Sequence, residues 1–510
     1  MELSPSLSKN PAMLLNQKCF YTGFLITAIL LLFASCKKWI QIPPPKNTIV
    51  TEQVFQDEAQ AEGAMSGLYT MMINGEAAGA QPGIASNNYS AGYLTVATGQ
   101  SSDELFPYRG STILKDYLLA TNKLTGLQDE AITPLWNSAY KTIYNANGII
   151  EGIAATVSGT LSEKSRREFT AEAKFVRALS YFYLTNLFGD LPLALTIDFH
   201  QTVKVKKSTQ AQVYEQIIKD LKDAIADMPS SYERGKGERI RPNKWAATAL
   251  LARVYLYQKD YPAAAATATE VINEQVLYKL EPDLNKVFRA NSTEAIWQLK
   301  QATTTNIRDA TPEGYLLLPT TAHKSAAIYC LTDQLLQAFE AGDKRREDWV
   351  DSTDNTLSGS GQPPAFTFYP AKYKIGGANF NTGMPAEYYM VIRLAEMYLI
   401  RAEATANGAL GGPADGVNDL NEIRRRAGLD ELPSTITQDE LIIAIEKERQ
   451  VELFCEWAHR WMDLKRTGRA HDVISVIPMK QPWAGDHQFL YPIPRNDRRD
   501  NPLLSQNEGY

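Results

Sequence analysis

Glu448 and Glu452 stand four residues apart in the segment EKERQVELFCEWAHRWMDLKR. Paired carboxylates are what glycoside hydrolysis needs, one as acid and one as nucleophile or base. A spacing of four, however, puts both on one helical face, whereas hydrolysis needs them facing each other across a bound sugar. Arg449, Arg460, Lys465 and Arg466 lie close by in sequence, which is the pattern of a charged helix held by ion pairs. No catalytic residue is assigned. The five histidines (His200, His323, His459, His471 and His487) form no His-Glu-x-x-His helix, and no Gly-x-Ser-x-Gly elbow appears. The glycines of GAMSGLY and GALGGPADG lack the lysine of a phosphate loop. Neither a metal nor a cofactor is expected, and the chain reads as a non-enzyme.

A different chemistry is suggested at Cys36. A short apolar run, Phe24–Ala34, ends in Ala-Ser-Cys, with Lys9 and Lys18 ahead of it. The run is too short to span a membrane, which takes roughly 20 residues, and has the length of a signal-peptide core. A cysteine straight after small residues has the form of a bacterial lipobox, with Phe33 where Leu is usual. Residues 1–35 are then a signal peptide, starting at Met1 or Met13, and Cys36 carries diacylglycerol and palmitate. An ordinary secretory signal with an incidental cysteine is the plainer alternative. Residues 36–50, with Pro43, Pro44 and Pro45, read as an extended tether behind the lipid. Of four cysteines, Cys330 and Cys455 remain for the body, as a disulfide or as two buried thiols.

Binding chemistry rests on aromatic faces, which can stack on the C–H surface of a sugar or on an apolar peptide side chain. Tyr140, Tyr144, Tyr181, Tyr183 and Tyr255 sit in periodic helical stretches and are expected in the core, as is Trp297. The stretch 75–112 is rich in Gly, Ser and Asn and reads as a long loop, as do 300–330 and 350–387. Its aromatics lack a helical stripe to join. Tyr89 and Tyr108 are therefore the expected stacking faces, with Asn88 and Arg109 as hydrogen-bond partners. Tyr93 and Phe106 lie beside them, and Tyr315 and Tyr329 form a second group.

The elements that position these residues are mostly helices. In STQAQVYEQIIKDLKDAIADMP, Val213, Ile217, Leu221 and Ile225 recur every four residues behind an N-cap at Ser208 or Thr209. Similar patterns run near 51–73, 130–153, 165–188, 242–274, 331–340, 388–407, 414–427 and 437–466. EAIWQLK (294–300) is the best strand candidate. Ala252, Tyr255, Tyr261, Ala264 and Ala268 alternate small and aromatic residues across a tight turn, which resembles a tetratricopeptide helix pair. The fold class expected is mainly α, a tetratricopeptide-like helix-pair scaffold with long loops and few short strands. Without residues 1–35 the side-chain charge is about −7, a poor match for nucleic acid.

AEAKFVRALSYFYLTNLFGDLPL, the helix pair at 245–272, VIRLAEMYLIRAEA, LNEIRRRAGL, EKERQVELFCEWAHRWMDLKRTG and LYPIPRNDRRDNPLLSQNEGY, together with Cys36, resemble the SusD-like (SusD/RagB) lipoproteins. These pieces span nearly the whole chain after the leader. The resemblance implies an N-terminal helical region over 51–290 and a C-terminal region over 291–510. It also implies a non-catalytic, lipid-anchored outer-membrane protein that captures a glycan for a SusC-like TonB-dependent transporter. A peptide ligand, as for RagB, is the alternative; an all-α glycoside hydrolase is a further one. Lys37 and Lys38 replace the acidic residues that often follow the cysteine in surface-exposed relatives, so membrane attachment is the firmer expectation and the leaflet stays open.

Overall fold

The structure, a computed structural model, describes residues 55–74, 88–108, 113–156, 159–302, 309–319, 327–354, 366–381, 386–409 and 411–510. The chain divides into a leading unit, residues 1–53, and a compact unit, residues 54–510. The leader, Cys36 and the tether lie outside the described residues.

Helix α1 (Glu58–Asn74) opens the body. A π-helical turn (Tyr89–Tyr93) leads into α2 (Leu94–Ser101), strand β1 (Leu105–Pro107) and α3 (Leu114–Thr121). Then come α4 (Thr133–Ala155), α5 (Glu163–Phe188), α6 (Gln210–Asp227), α7 (Lys244–Tyr257) and α8 (Tyr261–Ile272), each from α5 onward packed on the one before. In α6 Thr209 caps the first turn in a capping box with Gln212, and Val213, Ile217 and Leu221 are buried. Ala252, Ala264 and Ala268 are fully buried where α7 meets α8, small enough to let the two backbones approach.

Strand β2 (Ala295–Leu299), α9 (Pro312–Leu317), β3 (Tyr329–Leu331), β4 (Val350–Asp354), β5 (Phe366–Pro370) and β6 (Tyr389–Arg393) form the middle of the body. The strands pair antiparallel in twos: β1 with β3, β2 with β6, and β4 with β5. Helices α10 (Leu394–Ala406), α11 (Pro413–Arg426), α12 (Gln438–Glu452) and α13 (His459–Arg466) follow. Helix α10 packs on both α8 and α11, so the helical stack resumes across the strands. One apolar core runs from Phe55 to Leu504.

Several sequence expectations change. The helical pattern near 388–407 begins as strand β6, buried on both faces against β2, so no alternation marked it. The pattern over 437–466 breaks between α12 and α13, where Cys455, Trp457 and Ala458 take positive φ. Such residues cost of order 1–3 kcal/mol each. The tertiary structure offsets this: Cys455 N–H donates to Glu104 Oε1 at 3.1 Å, and Trp457 donates its backbone N–H to Thr95 Oγ1 at 3.1 Å and its indole N–H to Met390 O at 2.7 Å. The stretch 75–112, read as a loop, holds the π-turn, α2 and β1 among its described residues. Gly92 makes that turn possible, with φ +86° and its Cα against α9, where a Cβ would meet Leu316 and Glu313 at 3.1–3.3 Å. Cys330 and Cys455 are buried free thiols. Tyr144, expected in the core, is 51% exposed on α4.

Candidate functional site

Strand β1 delivers Phe106 and Tyr108 to a small apolar cluster of Ala327, Cys330, Tyr369 and Ala371, and Leu318 reaches the same cluster from the end of α9. Tyr108 is half-buried, its N–H donating to Ile328 O at 2.9 Å, and Ile328 itself is 48% exposed. Tyr315 on α9 is half-buried and meets Phe380 edge-on, ring centroids 6.1 Å apart. The result is a surface bearing partly exposed aromatic rings, backed by β3 and β5 rather than by loops alone. Behind β1 lies a cavity of about 290 Å³ lined by Leu105, Phe106, Ile477, Met479 and Lys480.

Two expected ligand contacts are elsewhere. Tyr89 is 1% exposed, its hydroxyl 2.8 Å from Ser180 Oγ and its ring beside Tyr183. Asn88 is buried as the cap of the π-turn, accepting from Ser90 N–H and donating to Met71 O. Both are corrected to core residues: the turn supplies the helical surface that their local composition did not announce. Tyr93 is buried too, donating to Ala131 O at 2.7 Å, and Tyr329 is buried in β3. Arg109 lies outside the described residues, as does Cys36.

The carboxylates that resembled a hydrolase pair are fully engaged, with partners other than those close in sequence. Glu452 accepts from Arg345 at 2.9 Å and from Arg393 at 2.6 Å, and also from Arg426. Glu448 pairs with Arg345 and, at 3.4 Å, with Arg424. Arg449 turns instead to Asp463 at 2.7 Å, Arg460 to Asp103 at 2.7 Å, and Arg466 to Glu403 and Asp463. Lys465 donates to the backbone of Asn186 and Phe489. The break before α13 swings the downstream cations away, so arginines from distant segments fill their place. Burial pushes the Glu452 carboxyl up, but Arg426, Arg393 and Arg345 together hold it well below the usual carboxylate range. No sugar can enter between these groups.

Residues 345–510 match a family model described as the SusD family, and residues 108–256 one described as starch-binding, associating with outer membrane. SusD-like protein P2 from Formosa agariphila is 30% identical over 436 residues, spanning 76% of this chain and 83% of its own length. This chain belongs to the SusD-like family. The starch-binding protein SusD of Bacteroides thetaiotaomicron is 28% identical over 419 residues, 67% of this chain and 72% of that one. A solved laminarin-binding SusD-like protein superposes with a TM-score of 0.70 at 25% identity, covering 89% of this chain and all of its own.

In this SusD-like protein the support beneath the aromatic surface was not legible in the sequence. Glu313, in the first turn of α9, looks like a surface residue favouring the helix N-terminus. It is 1% exposed, accepting from Thr95 Oγ1 and, at 3.1 Å, from the Tyr389 hydroxyl. Burial pushes its carboxyl up to about 8, so it is neutral near pH 7 and ties α9 to the core. Lys372 is likewise buried, over the rings of Phe454 (4.0 Å) and Trp349 (4.7 Å), and bonded to Glu456. Only the assembled core reveals either residue.

Proposed function

We propose that this protein is a non-catalytic outer-membrane lipoprotein, anchored through Cys36, that binds a glycan and delivers it to a SusC-like TonB-dependent transporter. The observation that carries the reading is the pair of half-buried tyrosines, Tyr108 just past the end of β1 and Tyr315 on α9. Aromatic faces on rigid elements suit the C–H surfaces of sugar rings, which need flat apolar contact more than charge. Arg109, next to Tyr108, is the proposed polar partner. Starch and laminarin, the ligands that name two of the relatives, support a neutral glucan as the ligand class. The engaged state of Glu448 and Glu452 supports binding without hydrolysis.

Titration calorimetry against laminarin, starch oligosaccharides and a peptide panel tests this reading. A stacking ring contributes about 1–3 kcal/mol in other ligand classes, so Tyr108→Ala or Tyr315→Ala is expected to weaken glycan binding about tenfold or more. The melting temperature should hold. Normal binding by both variants, binding of peptides alone, or glycan cleavage by the wild type would each refute the assignment.

A further inference from the structure

We propose that Trp483, Asp486 and His471 form a second, separate subsite that takes a neutral pyranose through a ring face and a pair of adjacent hydroxyls. The Trp483 indole N–H donates to Asp486 Oδ1 at 3.0 Å, and His471 Nδ1 lies 2.8 Å from the same oxygen. Trp483 keeps part of its ring accessible, while the ring of Phe489 backs it at 5.5 Å and 35°. Phe489 rests in turn on the fully buried Trp461.

Rigidity distinguishes this cluster from a loose loop tip. Lys480 fastens one end of its loop by donating to the backbone carbonyls of Gln100, Ser101 and Ala120 at 2.9–3.1 Å. Gln488 fastens the other, donating to Leu124 O at 2.9 Å and accepting from Leu124 N–H at 3.0 Å. A ring whose plane is fixed before binding costs little entropy to use. The polar atoms fit a sugar edge. Both bonds to Asp486 fall on Oδ1, which leaves Oδ2 without a partner among the described residues, on a side chain 54% exposed. His471, 56% exposed, has its Nε2 similarly open. One hydroxyl can donate to Asp486 Oδ2 and its neighbour can bond His471 Nε2, while the C–H face lies on the indole. Asp486 brings a carboxylate and neither side chain makes an ion pair with Lys or Arg, so a neutral ring is favoured over a uronate or sulfate.

The residues that would touch the sugar here, Trp483, Asp486 and His471, are distinct from Tyr108 and Tyr315, and the subsite rests on the glycan reading only for its ligand class. The test is fluorine NMR of the 5-fluorotryptophan-labelled protein, with the Trp483 resonance assigned through Trp483→Phe. Methyl α- and β-glycosides of glucose, galactose and mannose are titrated into the wild type, Tyr108→Ala/Tyr315→Ala, and Asp486→Ala/His471→Ala. At least one glycoside should shift the Trp483 resonance saturably, with an unchanged Kd in the tyrosine variant and a Kd about tenfold weaker or more in the Asp486/His471 variant. If the shift survives while glycan binding at the tyrosines fails, this subsite stands without that one. A Trp483 resonance unmoved by every glycoside overturns the proposal, and so does a shift that vanishes with the tyrosines.

Discussion

Glu452 gathers Arg345, Arg393 and Arg426 in the interior, and removing its charge leaves three guanidiniums short of an acceptor. Breaking a buried pair in this way costs about 3–5 kcal/mol. Glu452→Gln should therefore melt several degrees lower with glycan affinity intact in the folded fraction; an unchanged melt would contradict the network. Tyr89→Ala should also destabilise by about 3–5 kcal/mol, because a buried aromatic is replaced by a cavity. A variant that folds normally yet loses ligand would instead restore Tyr89 to the binding surface. Glu313 predicts a pH effect. Its folded value near 8 lies above the ordinary 4.5, so its contribution is full below about pH 4.5 and is lost as pH rises toward 8. Within that window one such group gives a slope of about 1.4 kcal/mol per pH unit. Urea unfolding from pH 5 to 8 should show Glu313→Gln with a shallower decline than the wild type; parallel profiles would mean the carboxyl is ionised in the fold.

At the scale of elements, the π-turn and α9 are locked together through Gly92. Gly92→Ala adds a Cβ into Leu316 and Glu313 and asks alanine for φ +86°, so it should cost about 1–3 kcal/mol. Because α9 carries Tyr315, glycan affinity should fall with it, and calorimetry beside a thermal melt separates the two effects. Stability lost without any loss of affinity would show that α9 does not depend on the turn. The helical stack itself was legible: periodic apolar residues in α6 and the alanines of α7 and α8 are local signals with a direct packing consequence. Strand β6 and the break after α12 were not, because a strand buried on both faces has no alternation and a break paid in positive φ has no local signature.

Among the described residues there is a large apolar core with two smaller buried clusters beside it, and no helix long and apolar enough to cross a membrane. In the proposed reading, attachment rests on Cys36. Cys36→Ala is expected to move the protein to the soluble fraction of cells lacking the transporter, with its melt unchanged; retention in the membrane would refute the lipid anchor. The sequence by itself determined the helical class and the tetratricopeptide-like pairing, because these rest on residue types at short spacings that act through nearby backbone, and its segments carried the family resemblance. It also favoured ion pairing over a hydrolase pair at Glu448 and Glu452, since hydrolysis needs carboxyls that face each other across a sugar. Only the tertiary structure decided which arginines hold them, that Tyr89 is interior while Tyr108 and Tyr315 are half-buried, and that Glu313 is buried. Burial depends on what packs from distant segments, and ion pairs inside a protein form between whichever charges the fold leaves without water.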